Sequence, residues 1–120
     1  MGIRVKRVYD PAEPDDGLRV LVTYYWPRGV PKTAVDRWYR ALGVPPRLLA
    51  PWLQDALDAE AFEQAYLQAL QTEEAQSLLQ ELRHLARSQT VTLLTSVREM
   101  ERSHLWILKR LIEEQPDSGR

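Results

Sequence analysis

Val20-Leu21-Val22 sit at the centre of a short apolar run, residues 19–25, that ends abruptly in Trp26-Pro27-Arg28-Gly29. A run this short and nearly continuous in apolar residues reads as a strand covered on both faces, which places it inside a parallel sheet with other layers packed against it. A loop holding Pro, Arg and Gly directly after such a strand puts a guanidinium at the sheet edge, where α/β proteins hold ligands.

The rest of the chain is organised around that strand. Residues 3–9 read as a first strand whose alternation holds through Ile3 and Val5 and breaks at Arg7. Asp10-Pro11 through Asp15-Asp16-Gly17 is a loop, because proline interrupts pairing and Asp-Gly favours a turn. Thr33 and Asp36 have capping-box spacing, and Ala34, Val35, Trp38, Tyr39 and Leu42 recur at helical intervals before Gly43. That pattern predicts a helix over 33–42. A proline-framed helix over 46–53 and longer helices over 58–70 and 72–87 follow. Residues 90–95 are β-branched and read as another strand. Ser96 and Glu99 make a second capping box that opens the last helix, with Met100, His104, Ile107, Leu108 and Leu111 on one face.

The expected fold class is α/β: a small, mostly parallel sheet of about three or four strands with helices packed on it. The helical stretch between residues 25 and 90 favours a parallel crossover, whereas the link between the first two strands is short for one. Residues 1–115 read as a single domain and 116–120 as a polar tail.

Composition removes several function classes. The chain has no Cys, which excludes thiol catalysis and cysteinyl metal sites and is compatible with a reducing cytoplasm. No apolar run is long enough to span a membrane, and the charged amino-terminal segment has no signal-peptide core. Sixteen basic and seventeen acidic residues leave a net charge of −1, a balance that argues against nucleic acid as partner. Basic residues nevertheless concentrate before residue 48, while 55–81 is acidic. The absence of Asn and the eight prolines fit a heat-adapted source, and equally a GC-rich genome.

With parallel strands, the loops after residues 25 and 95 share one rim. Arg28, Gly29 and Lys32 lie on one loop, Ser96 and Arg98 on the other, and Arg7 and His104 nearby complete a candidate anion site for a phosphate or carboxylate. Backbone N–H groups at the two capped helix starts would add positive potential there. Each residue also has a plainer role. Arg28 can bond loop carbonyls, Lys32 can be solvated, Ser96 can cap a helix, and His104 can be a buried, hydrogen-bonded core residue. No metal site or cofactor motif is present in the spacing of His84, His104 and the acids. Two other function classes stay open: a homodimer or adaptor using Tyr25, Tyr39 and Trp106, and a hydrolase with His104 or Glu99 as base.

Lys6-Arg7-Val8-Tyr9-Asp10-Pro11, Arg19-Val20-Leu21-Val22 and Trp26-Pro27-Arg28-Gly29-Val30 with Lys32 resemble the YeaO-like family, domain of unknown function 488. The resemblance continues through Asp36-Arg37-Trp38, Trp52, Phe62, Tyr66, Val91-Thr92-Leu93-Leu94 and His104 with Leu108-Lys109. It implies a small cytoplasmic α/β protein with no agreed reaction. It also marks departures. Thr23-Tyr24 stand where the family pattern has Asp-Arg, Asp55-Ala56 where it has His-Asp-Pro, and Arg102-Ser103 where it has His-Asn. The resemblance thus implies a divergent member whose site is altered.

Overall fold

The structure is a computed structural model, and it describes residues 2–114. The expected tail from Pro116 lies outside the described residues. Four strands form one sheet: β1 (Gly2–Arg7), β2 (Leu18–Leu21), β3 (Arg37–Trp38) and β4 (Thr90–Thr95), in the order β1-β4-β2-β3 and parallel throughout. Four helices accompany them: α1 (Pro46–Leu53), α2 (Ala59–Ala69), α3 (Glu73–Ala86) and α4 (Leu105–Glu114). The α/β architecture expected from the sequence is therefore present.

Register explains the two faces. Val5, Leu93 and Val20 lie level with one another, as do Ile3, Val91 and Leu18, and these rows enter the main core with the helices. The intervening rows are Arg4, Thr92 and Arg19, then Lys6, Leu94 and Leu21. They face a layer made of loops, where Val8, Leu21 and Leu94 pack with Trp26, Val30 and Val35. Val20, Leu21 and Val22 are fully buried, as a strand covered on both sides must be.

The short link from β1 to β2 joins parallel strands that are not neighbours. Residues 8–17 cross the loop face of β4, and Thr92 Oγ1 donates to the Asp16 carbonyl at 2.6 Å. The crossing is close: a Cβ on Gly17, at φ 61°, would sit 2.1 Å from the Thr90 carbonyl oxygen. Extended chain and one 3-10 turn, Pro14–Asp16, thus replace the crossover helix that parallel strands usually need.

Two expected helices are corrected. Residues 33–42 form 3-10 turns flanking β3, not a helix. Asp36, expected to close a capping box, accepts the Arg19 N–H at 2.8 Å, and the Asp36 N–H donates to the Arg19 carbonyl. The open edge of β2 captures the segment. The last helix does not open at Ser96 either: after a 3-10 turn, Met100–Arg102, α4 begins at Leu105, whose N–H donates to Ser103 Oγ. By contrast α2 and α3 start at their sequence-evident caps, Asp58 and Thr72, which accept from Ala61 N and Ala75 N.

Candidate functional site

The chain leaves β2 across the loop face and leaves β4 toward the helices. Neighbouring strands whose exits diverge open a crevice at their carboxyl ends, the usual ligand position in open α/β sheets. A cavity of about 110 Å³ lies there. One wall is Thr95-Ser96-Val97, continuing β4; a second is Thr23-Tyr24-Tyr25, following β2; the third is Val44, Pro46 and Leu49 at the start of α1. His104 also lines it.

Local packing fixes these walls. Gly43 lies so close to the chain after β2 that a Cβ there would be 2.3 Å from Tyr24 N and 2.4 Å from Thr23 C. Tyr66, fully buried, donates to the Leu42 carbonyl at 2.6 Å, and burial pushes its phenol pKa well up. Trp52, Phe62, Tyr66 and His104 form a continuous series of ring contacts that supports the cavity from the helical side.

His104 is buried, and its Nε2 lies 2.6 Å from the Val22 carbonyl. A carbonyl only accepts, so Nε2 carries the proton. Burial pushes the pKa down to about 4, although the Val22 carbonyl favours the protonated ring. The ring is therefore neutral near neutral pH. No Asp, Glu, Lys or Cys lines the cavity. It lacks an ionised acid–base pair and offers apolar walls with a few hydroxyl and backbone groups.

Two arginines outside the lining bond residues of the cavity walls. Arg7 is level with Thr95 on the helical side of β1, and its Nε donates to the Val97 carbonyl at 2.9 Å. Its guanidinium also rests over Tyr9, 5.1 Å from the ring centre, and is half-buried with no carboxylate partner among the described residues. Arg40 lies over Tyr24, 4.1 Å from the ring centre, and donates from Nε to the Tyr24 carbonyl at 2.7 Å.

The sequence candidates divide into groups. Ser96 and His104 meet in this cavity, and Arg7 grips its Val97 wall. Arg98 is exposed next to Val97. Arg28 is exposed, and its carbonyl accepts from Tyr9 Oη at 3.1 Å. Gly29, at φ 71°, borders a different depression with Tyr9, Arg19 and Pro31. Lys32 borders a third with Trp26 and Trp38. A chain that must begin the parallel strand β3 has to run back over the loop face, and this carries Lys32 away from Ser96 and His104. Neither loop leads directly into an α-helix, so the expected helix-start N–H groups are not at the rim.

The sequence candidates included neither Tyr24 and Leu49, which line the cavity, nor the buried cluster around Asp16. Asp16 is 1% exposed and meets Lys6, Arg4 and Arg19, the last at 2.5 Å. Desolvation raises its pKa, but the Glu13 N–H, Lys6 and Arg19 outweigh this and hold it below the usual carboxylate value. The available signal was the placement of Arg4, Lys6 and Arg19 on one sheet face, which demanded a buried carboxylate. Tyr39, expected on an interaction surface, is buried and donates to Glu81 at 2.7 Å, whereas Tyr25 and Trp106 are exposed.

Among the described residues, no group of three His, Cys, Asp or Glu is arranged to hold a metal ion, and no helix is long and apolar enough to cross a membrane. No solved structure matches the chain. Residues 2–119 match a family described as "Inactive DUF488-N3 subclade". The uncharacterized protein YeaO of Escherichia coli (strain K12) is 36% identical over 110 residues, covering 90% of this chain and 94% of that protein. An uncharacterized protein of Mycobacterium tuberculosis (strain ATCC 25618 / H37Rv) is 35% identical over 113 residues, covering 92% of each. The chain therefore belongs to the YeaO-like DUF488 family, within its inactive DUF488-N3 subclade.

Proposed function

We propose that the protein is a non-catalytic α/β domain that binds a small anionic ligand in the crevice between β2 and β4. One observation carries this reading: an apolar cavity stands at the divergent carboxyl ends of two parallel strands, with the half-buried guanidinium of Arg7 fixed on its Val97 wall. A half-buried cation without a carboxylate partner favours an incoming anion. The relevant cation is thus Arg7, ahead of the more distant Arg28 and Lys32.

The lining supports a lack of catalysis. A hydrolase needs a nucleophile activated by a base. Here the Nε2 of His104 donates to Val22, burial leaves its remaining nitrogen a weak base, and no carboxylate lines the cavity. The departures from the family pattern support the same reading. Thr23 and Tyr24 form a wall, Ser103 adjoins His104, and Asp55 and Arg102 pair with each other at 2.8 Å.

Titration calorimetry with acetate, butyrate and phosphate tests the proposal. Saturable binding is expected, weakened about tenfold by Arg7→Met, the scale of a lost hydrogen bond to a charged group. Absence of binding, or binding indifferent to Arg7, would overturn it.

A further inference from the structure

We infer that His104 is a specificity-determining residue of the cavity and that the ligand is a hydroxylated small anion, whose O–H donates to the imidazole Nδ1. This rests on the binding reading above and adds the ligand class and the residue that selects it.

The two ring nitrogens have different duties. Nε2 faces the Val22 carbonyl at 2.6 Å, so it carries the proton and Nδ1 of the neutral ring is a bare acceptor. Nδ1 has no hydrogen-bond partner among the described residues. It retains accessible surface all the same, and the cavity that this 4% exposed residue lines is where that surface opens.

The protein does not fill the position itself. Thr23 Oγ1 donates to the Tyr25 carbonyl at 2.7 Å, and Tyr66 Oη to the Leu42 carbonyl at 2.6 Å. Ser96 lines the cavity, yet no bond joins its hydroxyl to the ring. Nor is the imidazole free to turn. Tyr66 stands edge-on to it at 5.5 Å between ring centres, and any rotation breaks the Val22 bond.

A fixed, buried acceptor selects for a donor, because an analogue without one leaves it unpaired. A second anionic oxygen would set acceptor against acceptor. An ammonium could donate, but no carboxylate lines the cavity to receive its charge. A hydroxyl meets the requirement without charge. The anionic group then lies away from His104, toward the Val97 wall on which Arg7 is fixed.

The test is an NMR titration of the full chain, with amides and imidazole nitrogens labelled. It compares butyrate with its 2-, 3- and 4-hydroxy derivatives, and propyl phosphate with glycerol 3-phosphate. In at least one series a hydroxylated member should bind about tenfold tighter than its parent, and that series identifies the anionic group. Its methyl ether, which keeps the oxygen and loses the proton, should bind no tighter than the parent. The Nδ1 resonance should move upfield with the hydroxylated ligand alone, while Nε2 stays protonated. His104→Phe should make hydroxylated and parent ligands equal in affinity, and the Nδ1 resonance of the native protein decides the matter if that variant fails to fold. No hydroxyl preference in either series, an equal gain from the methyl ether, or an unmoved Nδ1 resonance would overturn this inference. If anions still perturb the Thr95 to Val97 amides in those cases, the general binding reading survives. If no anion perturbs those amides, both fall.

Discussion

Asp16 shows how a single residue decides whether a sheet face can be assembled. Arg4, Lys6 and Arg19 all project onto the loop face, and one buried carboxylate meets the three. Removing one partner of a buried ion pair leaves uncompensated charge, so Asp16→Asn should destabilise the fold by about 3–5 kcal/mol in chemical denaturation. His104 makes the complementary pH prediction. Its folded pKa is depressed to about 4, so protons bind the unfolded state first and stability falls as pH drops from the ordinary value of 6.5 toward 4. The difference between about pH 7 and about pH 5 should be about 2 kcal/mol, read from denaturation midpoints at each pH. A variant without the imidazole, His104→Gln, should lose that slope. Asp16 acts lower: its depressed pKa contributes stability above the usual carboxylate value of 3.8 that is lost as pH falls through the folded pKa.

Elements show why some of the fold was legible in the sequence and some was not. β4 and helices α2 and α3 announce themselves because their periodicity, caps and packing agree. Residues 33–42 carry an equally good helical pattern, yet tertiary pairing overrides it. The edge of β2 offers Arg19 and Leu21 carbonyls that accept from Asp36 and Tyr39, and a helix cannot make those bonds. Ser96 and Glu99 fail for a similar reason: the chain first has to pass Trp52, whose indole N–H bonds the Arg102 carbonyl, before α4 can start. The position of the cavity was legible, since a rim after β2 and β4 follows from parallel strands. Its composition was not, because which rim residues meet depends on a backbone approach at Gly43 that no local pattern encodes. Gly43→Ala should therefore cost about 3 kcal/mol or more through overpacking against Tyr24, measurable by thermal denaturation. Tyr66→Phe should cost about 1–3 kcal/mol by leaving the Leu42 carbonyl without its partner.

At the scale of the whole molecule, a sheet of four strands is enclosed by helices on one side and by loops on the other. The loop layer makes the chain economical in length, since ten residues replace a crossover helix between β1 and β2. It also directs the two exits beside the cavity to opposite faces, which is what opens the crevice. Membership of a subclade described as inactive agrees with a cavity lined by neutral groups and with a His104 held neutral by burial. The proposed function is that of a ligand-binding scaffold without reaction machinery. It is tested most directly by a crystal structure of the protein soaked with a bromine-labelled short carboxylate, read by anomalous scattering at the bromine edge. One bromine peak is expected, enclosed by Tyr24, Leu49 and Val97, with the carboxylate facing Arg7. A peak only beside Lys32 and Trp38, or no bound bromine at saturating ligand, would contradict it.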